Sequence, residues 1–189
     1  MRAAFCAAAL ALAGCNANPL LKMAAADYAP LRAGSNWVYV DAAGGPAFST
    51  TVLSVSGQQM DVANYEGLPG TSTLLVTGAS VELLGAQAQI DRKLPYLTGN
   101  KWNLFAPPGS LSTRSVDGYE SLVTPAGSFE RCFRLKTETQ AYNSGSGLTT
   151  TTGSLIWAAP NVGDVQYADV DSAGNVAVTA KLASYSLGQ

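Results

Sequence analysis

The strongest constraint on the fold is a regular alternation of short strand-like runs with turn residues. Residues 36–40 are followed by a turn sequence at 41–45, and residues 47–56 resume with β-branched and apolar side chains, which indicates a β-hairpin. Gly, Pro, Asn and Asp mark most of the gaps between the later runs. These later runs cover residues 58–65, 71–77, 80–84, 102–105, 119–123, 129–142, 149–157, 165–170 and 176–185.

Helical patterns are weak throughout the sequence. No window places apolar residues at sustained helical spacing between capping residues. Residues 79–90 are the most helix-like because they are rich in Ala and Leu, but Val81, Gly78 and Gly85 argue against a helix. The sequence therefore predicts an all-β domain, built as an antiparallel curved sheet, a half-barrel or a barrel-like meander.

The first residues have the features of an export signal. Arg2 precedes an apolar run that ends in Leu12-Ala13-Gly14-Cys15. The run is shorter than the roughly 20 apolar residues that span a bilayer, so we interpret it as a cleaved leader. Its last four residues resemble the bacterial lipobox, which implies that residues 1–14 are removed and that Cys15 carries lipid. Cleavage after the alanines at 24–26 also satisfies the small-residue rule and remains the alternative.

A lipidated Cys15 would set both the organisation and the location of the protein. Each buried methylene contributes about 0.8 kcal/mol, so several acyl chains hold a protein on a membrane. Residues 15–26 then form a tether, and residues 27–189 form a single β domain of ordinary size. The residue after the cysteine is Asn16 and not Asp. By resemblance to the sorting rule of bacteria with two membranes, this implies the periplasmic face of the outer membrane in such a host.

Cysteine usage agrees with this interpretation. The chain has three cysteines; Cys6 leaves with the leader and Cys15 takes the lipid. Cys132 then has no intrachain partner, and its strand-like surroundings predict a small, buried core residue. A reactive thiol would need exposure and a nearby cation, for which Arg131 and Arg134 are near in sequence only.

Charge argues against a nucleic-acid partner. The chain has 11 basic and 13 acidic residues, and the basic residues are scattered along it. Nucleic-acid binding needs a basic patch or stripe, so we predict no nucleic-acid partner. The predicted partners are the membrane, through the N-terminal lipid, and either a lipid-like ligand or another envelope protein.

Four motifs, in order along the chain, resemble a group of bacterial lipoproteins and hypothetical proteins. They are Tyr28-x-Pro30-Leu31-x-x-Gly34-x-x-Trp37-x-Tyr39, Gly99-x-x-Trp102, Pro125-Ala126-Gly127-x-Phe129 and Trp157-x-Ala159-Pro160-x-Val162-Gly163. The group is similar to the DUF3108-like set of domains of unknown function, whose fold is a curved antiparallel sheet or half-barrel. The resemblance implies that fold and no particular activity. Asp164 departs from the pattern, since an apolar residue is commoner after the last glycine.

The tryptophans of these motifs have two interpretations. Trp37, Trp102 and Trp157 each follow a turn glycine or lie within a strand, so the first interpretation is that they fill the core. The second is that they line a ligand cavity, because aromatic side chains commonly line clefts. We carry all three forward as candidate cavity-lining residues.

Catalytic and metal-binding patterns are scarce in the sequence. The chain has no histidine, which removes the usual Ser-His-Asp and Cys-His systems and histidine-ligated metals. Nucleophile elbows, phosphate loops and Cys-x-x-Cys are absent too. Residues 169–174 imitate a calcium loop, but Ala173 and Ala180 stand at two ligand positions, so a hairpin with Gly174 in a left-handed conformation is favoured. We therefore predict no catalytic residues, no metal and no cofactor.

Three function classes remain open. The first is a non-catalytic binding module, a lipid-tethered β cup for an apolar or amphipathic ligand. The second is a structural or assembly lipoprotein that contacts other envelope proteins. The third and most remote is a hydrolase that uses carboxylates or a Ser/Thr-Lys pair, although 13 acidic residues offer no way to choose a pair from sequence.

Overall fold

A single antiparallel sheet makes up the domain. The computed structural model describes residues 25–85 and 88–189, and over these residues twelve strands belong to one sheet, so the all-β prediction is confirmed. Within the same residues, helical structure is limited to 3-10 turns at Ala25–Tyr28 and Tyr65–Gly67. The strands are β1 Asn36–Val40, β2 Pro46–Ser56, β3 Gln59–Ala63, β4 Thr71–Val76, β5 Ser80–Leu84, β6 Gln89–Lys93, β7 Lys101–Leu104, β8 Ser110–Thr124, β9 Gly127–Asn143, β10 Leu148–Ala159, β11 Gly163–Val170 and β12 Val176–Ser186.

The sheet curls until it nearly closes into a barrel. Its strand order is β6-β5-β4-β3-β2-β1-β12-β11-β10-β9-β8-β7, which leaves β6 and β7 as the two edges. Side chains join these edges: Trp102 Nε1 donates to the Ile90 carbonyl at 3.1 Å, and Gln89 Oε1 accepts from the Phe105 backbone N–H at 3.1 Å. Backbone groups that would otherwise be unpaired at the edges are thus satisfied in part across this seam.

The strand directions define two ends of the barrel. At the proximal end, the Asn161 backbone N–H donates to the Asp27 carbonyl at 2.5 Å, and the Gly188 N–H donates to Ser35 Oγ at 2.9 Å. At the distal end lie the β3–β4 loop, residues 64–70, and the β9–β10 turn, residues 144–147. The predicted tether therefore joins the domain at the proximal end.

The segment that follows the predicted tether fills the proximal part of the barrel. Tyr28 and Ala29 are both buried. The Tyr28 ring packs edge-on against Phe133, with centroids 4.5 Å apart, and against Tyr96 at 5.3 Å. Gly163 lies beside Pro30 of this segment and has φ +96°, a backbone conformation that favours glycine. The first and last motifs of the resemblance therefore meet in space as packing elements.

Part of the sheet is covered on both faces. The last five residues of β10, residues 155–159, are all buried, although adjacent residues in a strand point to opposite faces. The long β8–β9 hairpin folds back to cover the second face: the Ala126 N–H donates to the Leu182 carbonyl at 3.1 Å, and Phe129 and Cys132 belong to the same core cluster as Trp157. Cys132 is fully buried, as predicted, and burial raises the pKa of its thiol to about 11.

Two stretches of strand were not predicted. The first is β6, which begins inside residues 79–90, the most helix-like window; β5 in the same window agrees with the run predicted at residues 80–84. The first half of β8, residues 110–118, was also missed because polar Ser112 and Arg114 occupy buried positions and disguise the alternation. The 171–175 turn agrees with prediction: Gly174 has φ +84°, and Asp171 Oδ1 accepts backbone N–H groups within that turn.

Candidate functional site

A group of ion pairs lies inside the barrel, and we call it the buried charge cluster. Its guanidinium groups are 2% and 6% exposed, and its carboxylate side chains are between 6% and 14% exposed. Charged groups are rarely buried to this extent unless they are paired. The members are Glu66, Asp91, Arg92, Arg114 and Asp164.

A bulge in β6 brings two consecutive charged residues to the same cluster. Val81 pairs with Arg92 and Glu82 pairs with Ile90, so Asp91 is an extra residue on its strand. Regular alternation would have sent Asp91 and Arg92 to opposite faces. The bulge turns one of these two side chains back toward the interior, so that both are buried.

A second bulge positions Asp164 in β11. Trp157 pairs with Gln166 and Ala158 pairs with Asp164, which leaves Val165 as the extra residue. Asp164 Oδ1 and Oδ2 accept from Arg92 Nη1 and Nη2 at 2.8 and 2.7 Å, a bidentate geometry that gives strong, directional pairing. The departure of Asp164 from the apolar residue of the resembled pattern thus comes with its own buried partner.

Asp91 is held from several directions. Arg114 Nη1 donates to Asp91 Oδ1, while Tyr65 OH and Arg92 Nε donate to Asp91 Oδ2 at 2.7 and 3.2 Å. Burial opposes ionisation of Asp91, but Arg114 and Arg92 outweigh it, so its pKa lies below the ordinary value. Arg114 is itself fixed by a 2.9 Å hydrogen bond from Nε to Thr137 Oγ1.

Glu66 differs from the other two carboxylates because a loop supplies it. It lies in the distal β3–β4 loop in a left-handed backbone conformation, with φ 51° and ψ 30°, which is uncommon for a residue other than glycine. All its contacts with the guanidinium groups are long, at 3.4 Å to Arg92 and at 3.2 and 3.3 Å to Arg114. Its side chain is also the most exposed member, at 14%.

The cluster carries an excess of negative charge when every member is ionised, since three carboxylates face two guanidinium groups. Burial raises the pKa of Glu66 above its ordinary value, and the attraction of Arg114 does not fully offset it. Glu66 is therefore the member whose charge the interior accommodates least well.

Two spaces adjoin Glu66. One is a small cavity of about 30 Å³ between Tyr28 and the cluster, which we call the inner cavity; it has room for about two or three water molecules at about 10–15 Å³ each. The other is a pocket of about 260 Å³ at the distal end, which we call the mouth pocket. Glu66 and Tyr167 border both spaces and separate them.

The three candidate tryptophans lie in different surroundings. Trp37 borders the inner cavity, and its Nε1 donates to the Val162 carbonyl at 2.6 Å. Trp102 lies at the β6–β7 seam, and Trp157 Nε1 donates to Glu120 Oε1 at 2.6 Å. Neither Trp102 nor Trp157 borders the inner cavity or the mouth pocket. All three are buried, and their role in lining a ligand cavity stays a prediction.

Two sequence hypotheses concern other parts of the chain. Cys15 and the leader lie outside the described residues. Across residues 25–85 and 88–189, no group of three or more acidic, cysteine or histidine side chains is arranged to hold a metal ion. The same residues contain no helix with the length and hydropathy of a membrane span.

The sequence contained one visible signal of the buried charge cluster, the departure at Asp164. The sequence contained no such signal at the other four members, Glu66, Asp91, Arg92 and Arg114. Local sequence patterns do not predict strand bulges or the pairing of residues that are distant along the chain. Asp91 and Arg92 lie in a mostly polar and charged stretch, which is typical of an exposed strand or loop.

Comparisons with known proteins connect the fold to two solved structures. A protein described as exported, with a YmcC-like fold, from Bacteroides fragilis aligns with a TM-score of 0.53 and 14% identity over 82% of this chain and 96% of its own. A protein described as a lipoprotein from Parabacteroides distasonis aligns with a TM-score of 0.53 and 17% identity, also over 82% of this chain and 96% of its own. At these identities the likeness shows the fold alone. No family model and no curated protein matches the chain, so the DUF3108-like resemblance stays a prediction.

Proposed function

We propose that this chain is a lipid-anchored envelope protein whose β domain binds an amphipathic ligand at the mouth pocket and catalyses no reaction. The envelope location rests on the leader that ends at Cys15. Two solved proteins of the same fold, described as exported and as a lipoprotein, support it.

The observation that carries the binding role is the mixed lining of the mouth pocket. Phe48, Leu155, Ile156 and Tyr167 contribute apolar surface. The carboxylates of Glu66, at the inner end, and Asp169 contribute charge. Its volume of about 260 Å³ is close to the smallest ligand pockets, which begin near 300 Å³. Such a lining suits a ligand with a short apolar part and a polar end.

The position of the pocket supports the same role. The predicted tether joins the proximal end, beside Asn161 and Gly188, whereas the mouth pocket lies among distal residues such as Phe48 and Asp169. A lipid at Cys15 would therefore hold the pocket on the side of the domain that faces away from the membrane, open to ligands from the aqueous space.

A hydrolase remains the weaker alternative. The pKa values of Glu66 and Asp91 are displaced in opposite directions, a pattern found in acid–base pairs. Every carboxylate oxygen of the two, however, contacts a guanidinium nitrogen. A general base needs an oxygen free to take a proton from the substrate, so the pairing argues against this chemistry.

An assembly role has one specific observation in its favour. Leu111 and Tyr142 are 52% and 58% exposed near the distal ends of β8 and β9. The register places Leu111 opposite Gln140, two residues from Tyr142, so both side chains lie on one face of the sheet. A partner protein could cover this small patch.

The binding role is tested by closing the mouth pocket. Thr179 is exposed at its rim, and Thr179→Trp fills the pocket without replacing a core residue. We expect at least a tenfold weaker affinity for the amphiphile octanamide, measured by calorimetry on the full-length protein in phosphatidylcholine nanodiscs. Exposed Thr150, replaced in Thr150→Trp, is the matched control and should bind as the wild type does. Equal affinity in all three proteins, or no binding in any, would reject the proposal.

A further inference from the structure

We propose that Glu66 occupies the site of a ligand carboxylate, and that the mouth pocket takes an amphiphile whose own carboxylate replaces Glu66 between Arg92 and Arg114. This inference rests on the proposed binding function and names the chemical class of its ligand: an organic monocarboxylate with an apolar tail.

The first argument is that the two arginines keep buried partners when Glu66 leaves. Arg92 retains its bidentate pair with Asp164, and Arg114 retains Asp91. Without Glu66, two guanidinium groups face two carboxylates and the interior is neutral. Loss of either aspartate, in contrast, would leave a buried cation with fewer acceptors, which is strongly destabilising.

The second argument is that Glu66 is the member of the cluster that can move. Asp91 and Asp164 lie within strands β6 and β11, whereas Glu66 belongs to a loop of residues 64–70. Asn64, Glu66, Gly67 and Gly70 of this loop all have positive φ, at 51°, 51°, 77° and 106°. Non-glycine residues in this region store strain, and such strain concentrates at ligand clamps and switch segments.

The third argument concerns the space that Glu66 divides. Glu66 borders both the mouth pocket and the inner cavity, and the wall of the inner cavity includes Arg92 and Tyr65. Movement of this one side chain would connect the two spaces and leave the outer nitrogens of Arg92 and Arg114 facing the mouth. A carboxylate entering there would find the same donors at which Glu66 now accepts.

Hydrogen bonding to the two guanidinium groups then explains why a carboxylate is preferred to a neutral amphiphile. A ligand carboxylate carries the same charge as Glu66, so the exchange leaves the net charge of the cluster unchanged. Guanidinium groups bind carboxylates with paired, directional hydrogen bonds. The ligand tail adds contacts with Phe48 and Tyr167 that the glutamate side chain, held by its own loop, cannot make.

In wild-type protein, Glu66 competes with the ligand and lowers its apparent affinity by the fraction of molecules in which the loop is closed. Glu66→Ala removes the competitor. We expect at least a tenfold gain in affinity for octanoate and less than a twofold change for octanamide, its uncharged analogue of the same length. Calorimetry on the full-length protein in phosphatidylcholine nanodiscs, with empty nanodiscs as the blank, measures both.

The matched control is Glu138→Ala, because Glu138 pairs with Lys136 at 2.9 Å on an exposed part of β9. It should leave both affinities unchanged. If Glu66→Ala does not fold, Glu66→Gln retains the side-chain volume and removes the charge, and it should still prefer octanoate over octanamide more than the wild type does.

The outcomes separate this inference from the proposed function. A selective gain for octanoate supports both. Binding of octanamide that Thr179→Trp abolishes, with no selective gain for octanoate in either Glu66 variant, keeps the binding role and rejects the displacement of Glu66. Equal gains for octanoate and octanamide also reject it, since they would indicate an opened apolar pocket. Absence of binding for both probes in every protein rejects both proposals.

Discussion

Asp164 has more partners than its position in a short turn motif would suggest, because Arg92 binds both of its oxygens and Tyr167 OH donates to Oδ2 at 2.8 Å. Its backbone carbonyl also accepts from Tyr39 OH at 2.9 Å. Three strands, β1, β6 and β11, are thus linked through one residue. The residue matters for stability whatever ligand the protein takes.

Asp164→Ala should lower the free energy of unfolding by about 3–5 kcal/mol, because it leaves the buried Arg92 guanidinium with weaker acceptors. Urea unfolding followed by tryptophan fluorescence measures the change. Asp169→Ala is the matched control on the same strand: Asp169 is exposed, and its replacement should change stability by less than about 0.5 kcal/mol. Similar values for the two variants would contradict the structural role of the Asp164–Arg92 pair.

Single residues were predictable where a local rule applied. The burial of Cys132 followed from its apolar strand, and the left-handed Gly174 followed from its turn sequence. The charge cluster obeys no local rule, because Glu66 and Arg114 are brought together only by the closure of the barrel. In the sequence alone, these two residues cannot be distinguished from charged residues that are exposed to solvent.

At the scale of elements, the contact between β9 and β10 depends on a glycine in a strand. A Cβ on Gly153 would lie 2.5 Å from the Thr137 carbonyl oxygen, closer than unbonded carbon and oxygen atoms approach. Glycine in a strand often marks such a close approach of backbone.

Gly153→Ala should therefore destabilise the protein by about 1–3 kcal/mol through overpacking at the β9–β10 pair. Gly118 in β8 is the matched control, since a Cβ there meets no atom within 4 Å. Gly118→Ala should be neutral or slightly stabilising, because it restricts the unfolded chain. Thermal unfolding of the two variants compares them directly, and equal melting temperatures would show that the strands can separate at no cost.

Most strands were predictable because their β-branched and apolar residues alternate between turn signals. β6 was not, since its sequence is dominated by polar and charged residues and its bulge breaks the alternation. The first half of β8 failed for a related reason: Ser112 and Arg114 lie on the buried face, bonded to Thr139 and to the charge cluster. Strand prediction assumes an apolar interior, and this barrel has a partly ionic one.

At the scale of the whole molecule, the all-β class could be predicted, but the closure of the sheet could not. Closure depends on long-range contacts at the β6–β7 seam, such as Trp102 Nε1 to Ile90. The mouth pocket exists only because that closure places the β3–β4 loop over the distal end. The proposed site is therefore a property of the complete barrel and of no single motif.

The anchor is the remaining prediction about the whole molecule. Cys15→Ala should abolish incorporation of radioactive palmitate and release the protein from sedimented membranes, because the thioether is the attachment point that the lipobox-like sequence provides. Cys6→Ala, which alters the leader but keeps Cys15, is the control and should retain both label and sedimentation. Palmitate labelling that persists in Cys15→Ala would show that another residue carries the lipid and would contradict the predicted anchor.

The pairing of β1 with β12 has a consequence for how the pocket is presented. The first and last strands are neighbours, with Asn36 opposite Ser186. Consecutive strands therefore follow one another all the way around the barrel, and the ladder of backbone hydrogen bonds is interrupted at the β6–β7 seam. A lipid attached at the 144–147 turn, at the distal end, would leave every strand pair intact. It would reverse the orientation of the barrel relative to the membrane, so that the mouth pocket would face the bilayer. If the predicted anchor is present, its point of attachment, and not the architecture, would decide whether the pocket faces the bilayer or the aqueous space.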